Sequence, residues 1–260
     1  MKVTFLQDGA EAIVCTAIHN GHEMRGELIA KRGISEADQL REEDPFTGLF
    51  TEICPNRVIV ETSRFEVDLN RSRERAVYMQ PQDAWGLPVR SSALSTSEVH
   101  TSLQGYDEFY TQIKDYIDAL LRKQQRIFVY DVHSYNHHRQ GPDAPFDDPA
   151  MNPEIILGTN TMPLHHMPLV EAIRDSFCAT DVQGHLLDAR INVKFPGGHF
   201  SRWLHSTFGD RIICVAIEFR KDFMDEWSDT YNAAHLEQLR QALAATFPII
   251  SGYLKETSCQ

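Results

Sequence analysis

Apolar residues run almost without a break through positions 12–18, 126–132 and 211–219. Runs this short and continuous predict strands buried on both faces, as in a parallel sheet. Residues 57–61 and 65–69 are also rich in strand formers, and Phe65, Val67 and Leu69 alternate as in a half-buried strand. Elsewhere the period lengthens. Phe109, Ile113, Tyr116, Ile117, Leu120 and Leu121 share one side of a helix predicted over 107–123. Further helices are predicted over 167–177 and 236–247. Strands alternating with helices imply an α/β fold, a mixed and mostly parallel sheet flanked by helices. With no internal repeat and no linker, residues 1–260 read as a single domain. Two stretches follow neither period. Positions 133–168 are crowded with Pro, Asp, Asn and His, and 72–105 are irregular. The first predicts a long loop with short elements, of the kind that in compact domains is functional or mobile.

The apolar runs end at groups capable of chemistry. His19 follows the first, His133 follows the second, and Glu218 interrupts the third. Ligands of open α/β sheets bind beyond the carboxyl ends of strands, so three such groups at one edge predict a site. His22 stands three residues after His19 and Glu23 four after it. On a helical turn either pair would share a face and offer two metal ligands, with a third from a distant strand. The chain has twelve histidines, so a chance pairing is the plain alternative. His137 and His138 fit loop positions better than ligand positions, while Asp131 is an acceptor for orienting an imidazole.

Glu218 is costly in an apolar strand unless it is paired or faces a cleft. Facing a cleft, its raised pKa would suit a general base; paired, it would meet Arg220. Asn70 and Arg71 offer a carboxylate an amide and a planar guanidinium, against the alternative of a structural ion pair. The pair Gly197-Gly198 lets a ligand approach the backbone closely, or simply makes a turn. No Gly-x-Gly-x-x-Gly, Walker loop or Gly-x-Ser-x-Gly elbow occurs, which speaks against nucleotide binding and serine hydrolysis.

Charge narrows the partners. A formal net charge of −12 disfavours nucleic acid and anionic membranes, while a few local arginines can still hold a small carboxylate-bearing substrate. The five cysteines are scattered, odd in number and without a Cys-x-x-Cys pair, which predicts free thiols in a reducing compartment. The start of the chain has no apolar leader and no run spans a membrane, so the expected location is the cytoplasm.

In order, these pieces resemble zinc carboxypeptidases, which carry an early His-x-x-Glu, then Asp-Leu-Asn-Arg, His-Ser-Tyr and a late Glu-Leu-Arg. Here they are His19-Asn20-Gly21-His22, Asp68-Leu69-Asn70-Arg71, His133-Ser134-Tyr135 and Glu218-Phe219-Arg220. The chain is more similar still to the N-formylglutamate amidohydrolase family. The similarity lies in His19-Asn20-Gly21 after an apolar strand, Ser63-Arg64 ahead of Asp68, Leu157-Gly158-Thr159, Gly197-Gly198, and the glutamate strand followed by arginine. The resemblance spans roughly residues 13–225.

The resemblance implies a zinc carboxypeptidase-like fold, one Zn2+ per chain, and hydrolysis of an N-acyl amino acid such as N-formyl-glutamate. It implies His19 and His133 as zinc ligands and Glu218 as the base that deprotonates the zinc water. It implies Arg64 as the group that stabilises the oxyanion, and Asn70 and Arg71 as the holders of the substrate carboxylate. His22 stands where carboxypeptidases have their zinc glutamate. The third ligand is then His22, Glu23 or, by resemblance to an acidic segment of the amidohydrolases, Asp44, with His22 preferred. Two other readings share these residues. One is a carboxypeptidase acting on short or γ-linked peptides. The other, motivated by His22, is a binding protein that keeps the fold without catalysis.

Overall fold

A computed structural model of the chain describes residues 1–7, 11–228 and 230–258. Seven strands form one mixed sheet: β1 (Val3–Gln7), β2 (Ile13–Ala17), β3 (Asn56–Val60), β4 (Ile127–Tyr135), β5 (Ile155–Gly158), β6 (Ala189–Ile191) and β7 (Ile212–Arg220), in spatial order β1-β3-β2-β4-β7-β5-β6. Strands β3, β2, β4 and β7 are parallel, while β1 runs against β3 and β5 runs against β7. The central strands β2 and β4 are buried along their whole length, the reason they read as unbroken apolar runs.

Alternation along β4 splits the core in two. Phe128, Tyr130 and Val132 face one side, packed with Val170 and Ile173 of α2 (Met167–Cys178), Leu239 and Leu243 of α4 (Ala233–Ala245) and Ile250 of α5 (Phe247–Ser258). Ile127 and Val129 face the other, against Phe109, Ile113 and Ile117 of α1 (Thr96–Leu121) and Phe200 and Leu204 of α3 (His199–Phe208). Asp131 and His133 share this second face by their parity, at the end of the strand that the apolar packing leaves free.

Several expectations are corrected. Helix α1 starts at Thr96 rather than 107, because Ser95 and Glu98 form a capping box. The 133–168 stretch is irregular with short elements, as expected, and strand β5 is one of them. Strands β4 and β7 run on to Tyr135 and Arg220, so His133 and Glu218 lie inside strands rather than beyond them. The helix predicted over 236–247 is α4, which starts at Ala233 and ends at Ala245, and a further helix, α5, opens on Phe247-Pro248, where proline cannot continue the first. Residues 65–69 form no strand. Both edges of β3 are already paired, with β1 and β2, and the chain turns at Ser63, whose carbonyl accepts from Glu66 N at 3.0 Å. The alternating Phe65, Val67 and Leu69 anchor this turn in two different apolar clusters. Cys15, Cys54, Cys178 and Cys214 are free thiols, and Cys259 lies outside the described residues. No helix among the described residues is long and apolar enough to cross a membrane.

Candidate active site

Parallel strands β2, β4 and β7 deliver their C-terminal ends to one edge of the sheet. His133 and Glu218 are register partners on β4 and β7, so their side chains leave the same face side by side. His19 follows β2. Asp44 comes from the turn after the helix Glu36–Glu42, and its N–H donates to the His19 carbonyl at 3.1 Å, which docks the turn on the end of β2. Asp44 Oδ2 lies 3.4 Å from His19 Nδ1 and 2.9 Å from His133 Nδ1, and one ligand atom from each residue falls within 4.8 Å of the others. Ligands about 2.05 Å from a tetrahedral zinc stand about 3.3 Å apart. The two separations to Asp44 are close to that spacing.

The far nitrogen of each imidazole faces a buried carboxylate. His19 Nε2 donates to Asp68 Oδ1 at 2.7 Å, and His133 Nε2 stands 3.1 Å from Asp131 Oδ2. Thr16 Oγ1 donates to the other oxygen of Asp131 at 3.2 Å. Asp68 is fully buried and also accepts from the Asn70 N–H at 2.8 Å, from Arg64 Nη2 at 2.9 Å and from the Tyr78 hydroxyl. A carboxylate behind each Nε2 sets the ring orientation and turns Nδ1 toward Asp44, the arrangement by which carboxylates orient metal-binding histidines.

The charges agree with that reading. Burial pushes Asp68 up, but Arg64 and His19 hold it well below the usual carboxylate range. Burial likewise opposes ionisation of Asp44, and its bonds to His133 and His19 keep it ionised. Burial pulls His133 down, yet Asp131, Asp44 and Glu218 hold it well above an ordinary histidine. Burial raises Glu218 to about 8, against the pull of His133. The Glu218 carboxylate makes no hydrogen bond or ion pair among the described residues; Arg220, its expected structural partner, binds Asp222 at 2.7 Å instead. Asp44, Asp68 and Asp131 thus place carboxylates around two imidazoles, an environment that would suit a divalent cation.

A cavity of about 560 Å³ opens onto this cluster, and Arg64, Asn70 and Arg71 line it with Glu218. The buried Nε of Arg64 has no acceptor among the described residues, leaving a donor unspent. Arg71 is held loosely, its Nε 3.7 Å from Asp68. Gly197 and Gly198 are not among the cavity-lining residues. A Cβ on Gly198 would lie 2.0 Å from Asn70 Oδ1, so this glycine makes room for Asn70, whose oxygen accepts from the Phe200 N–H at 3.0 Å. Gly197 has φ 112, a conformation open to glycine.

His22 and Glu23 do not join the cluster. Residues 19–25 are not helical, so the three-residue spacing carries no shared face. His22 Nδ1 pairs with Glu43 Oε2 at 2.6 Å, and Glu23 is exposed and pairs with Lys2 at 2.7 Å. Asp44 is the residue that lies together with His19 and His133. His137 and His138 are occupied elsewhere, with Asp222 and with the Ala144 carbonyl. Sequence reasoning missed the role of Asp68 as a hub, and it missed Lys221. That buried ammonium donates to the carbonyls of Arg41 at 2.6 Å and Glu43 at 2.7 Å and so clamps the segment that carries Asp44. Its only trace in the sequence is a lysine three residues after the glutamate of a buried strand.

The chain matches the family model described as N-formylglutamate amidohydrolase over residues 11–224. No curated protein matches it. Its fold is similar to the crystal structure of N-formylglutamate amidohydrolase from Ralstonia eutropha JMP134, with a TM-score of 0.74, 16% identity and 98% of each chain covered. It is also similar to the crystal structure of a gene product of Agrobacterium tumefaciens, with a TM-score of 0.66, 19% identity, and 99% of this chain and 96% of that one covered.

Proposed function

The chain belongs to the N-formylglutamate amidohydrolase family, and on that premise we propose that it hydrolyses the amide bond of an N-acyl amino acid, N-formyl-glutamate foremost, with one zinc ion held by His19, Asp44 and His133. Two imidazoles and a carboxylate lining one cavity form a donor set that would suit catalytic zinc. The ion, when bound, supplies Lewis acidity to the carbonyl and to a water.

The chain's own residues do the rest. Asn70 and Arg71 bind the substrate carboxylate and so fix the scissile amide relative to the cluster. Glu218 accepts a proton from the attacking water and returns it to the departing amine nitrogen, so that formate and the free amino acid leave. Arg64, fixed by Asp68 and with an unspent donor, stabilises the negative oxygen that forms on the carbonyl. The pKa of about 8 at Glu218 belongs to the site without a cation; a dication nearby favours the carboxylate and makes the base available at neutral pH. His22 no longer argues for lost catalysis, because Asp44 completes the donor set.

The observation that carries this reading is the convergence of three donors beside an unpaired glutamate in one cavity. It is tested by following formate release from N-formyl-L-glutamate. Dialysis against a chelator should abolish turnover and added zinc should restore it. Glu218→Gln should keep the metal and lower kcat about 10³-fold. Near-normal turnover by E218Q would remove Glu218 from its role, and full activity after chelation would remove the metal.

A further inference from the structure

A second cavity, of about 450 Å³, shares one lining residue, Lys221, with the first. It lies between the loop that follows β4 and the turn that follows β7. A bridge between Met224 and Tyr231 closes that turn, and within it the Asp225 N–H donates to the Thr230 carbonyl at 2.8 Å.

Three carboxylates line this cavity, and they are unequally answered. Asp222 meets Arg220 at 2.7 Å and His137 at 3.1 Å. Asp225 and Glu226 form no ion pair with a lysine or arginine among the described residues. Asp225 Oδ1 accepts from the N–H of Trp227 at 2.8 Å, which holds this acid below the usual carboxylate range, and from the N–H of Ser228 at 3.2 Å. Glu226 is 3% exposed. Its Oε1 accepts from the N–H groups of His137 at 2.7 Å and His138 at 3.0 Å, while its buried Oε2 has no hydrogen-bond partner among the described residues. The Lys221 ammonium donates to the carbonyls of Arg41 and Glu43. A carboxylate withdrawn from water without a cation beside it is costly to keep.

Aromatic rings complete the wall. Phe146 is 63% exposed and Tyr231 43%, a large apolar surface left to water. Trp227 is held by its indole N–H, which donates to the His138 carbonyl at 2.8 Å, and its ring already carries the Arg41 guanidinium at 4.1 Å. Unanswered acids beside exposed rings suit a positive charge carried on an apolar stem. A bare metal ion suits them less. Among the described residues, the groups of three imidazole or carboxylate donors within 4.8 Å of one another lie elsewhere.

We propose that this cavity binds a small organic ammonium ion, with its charge on Glu226 and Asp225 and its apolar stem against Phe146 and Tyr231. The site uses none of the residues assigned to hydrolysis, so it stands or falls apart from that reading.

The test compares benzylammonium with benzyl alcohol, its neutral isostere, by calorimetry near neutral pH. Zinc is present so that the metal answers the carboxylates at the sheet edge. The ammonium should bind at least about 10-fold more tightly than the alcohol. Glu226→Gln keeps an oxygen for the two N–H groups and should weaken ammonium binding about 10-fold, the value of one charge-assisted hydrogen bond. Tyr231→Ala, at an exposed position, should weaken it about 3-fold and keeps the test open if E226Q does not fold. Crystals soaked in 4-bromobenzylammonium should show the bromine, by anomalous scattering, in this cavity. Equal binding of ammonium and alcohol would overturn the proposal. So would an affinity that neither variant lowers, or bromine found only in the cavity of His133 and Glu218.

Discussion

Among the described residues, two imidazoles and a carboxylate meet at two places. His19, Asp44 and His133 meet at the end of the sheet, and His165, His166 and Asp210 meet near the start of β7; in each group the ligand atoms lie within 4.8 Å of one another. The residue types are the same and the surroundings are opposite. In the first group all three residues are buried, acids stand behind both imidazoles, and no lysine or arginine among the described residues pairs with Asp44. In the second, Asp210 already receives Arg126 at 2.5 Å, and both histidines crowd one of its oxygens at 2.8 and 3.0 Å. Burial and the neighbouring His165 lower the pKa of His166, whereas the acids around His133 raise it. The arginine supplies the positive charge that the first cluster lacks. Donor identity alone does not define a cation site; the groups behind the donors do.

Breaking the first cluster should have the largest effect. Asp44→Asn removes a charged donor and should cost at least about 10³-fold in turnover together with the bound zinc, read by kinetics and elemental analysis. Retention of both would return the third place to His22 or Glu23. A smaller loss is expected from Asp68→Asn, which leaves every direct donor in place and weakens the group behind His19. Zinc affinity, measured by competition with a chelator, should fall 10- to 100-fold, on the order seen for such outer partners. Unchanged affinity would make Asp68 a packing residue only.

The region of the second cluster should answer to pH instead. Burial and then His166 depress His205 to about 4, and its Nε2 accepts the Cys214 N–H at 3.0 Å in the neutral form. The unfolded chain binds this proton near pH 6.5 and the folded one near 4, so stability is intact above about 6.5 and falls as the pH drops toward 4. Roughly 2–3 kcal/mol should be lost by pH 4.5, seen as a shift of the urea midpoint that is absent in His205→Gln. The same shift in both proteins would assign the loss to other groups. The least effect is expected from His165→Ala, which should leave zinc content at the wild-type level; a lower content would make the second cluster a metal site after all.

How much of this was legible in the sequence follows from the same physics. Strands β2, β4 and β7 could be read because burial on both faces requires apolar side chains throughout, and the polar interruptions at His133 and Glu218 therefore stood out. Asp131 could be read because alternate residues on a strand share a face. Asp44 could not be derived from local pattern. Its place depends on a turn that carries Phe46 in a left-handed conformation and on the clamp from Lys221, more than 170 residues away in the chain. His22 misled because its spacing from His19 has meaning only on a helix, and the chain there is irregular. Residues 65–69 misled because alternation reports which side chains are buried, and a turn anchored in two clusters buries the same ones. Glu226 gave no signal, since a carboxylate without a cation partner is a fact about neighbours.

Anomalous diffraction at the zinc edge, from crystals of the zinc-loaded protein, tests the central claim most directly. The account predicts about one ion per chain, bonded to Nδ1 of His19, Nδ1 of His133 and a carboxylate oxygen of Asp44 at about 2.0–2.2 Å. An ion coordinated by His22, or one found only between His165, His166 and Asp210, would contradict it.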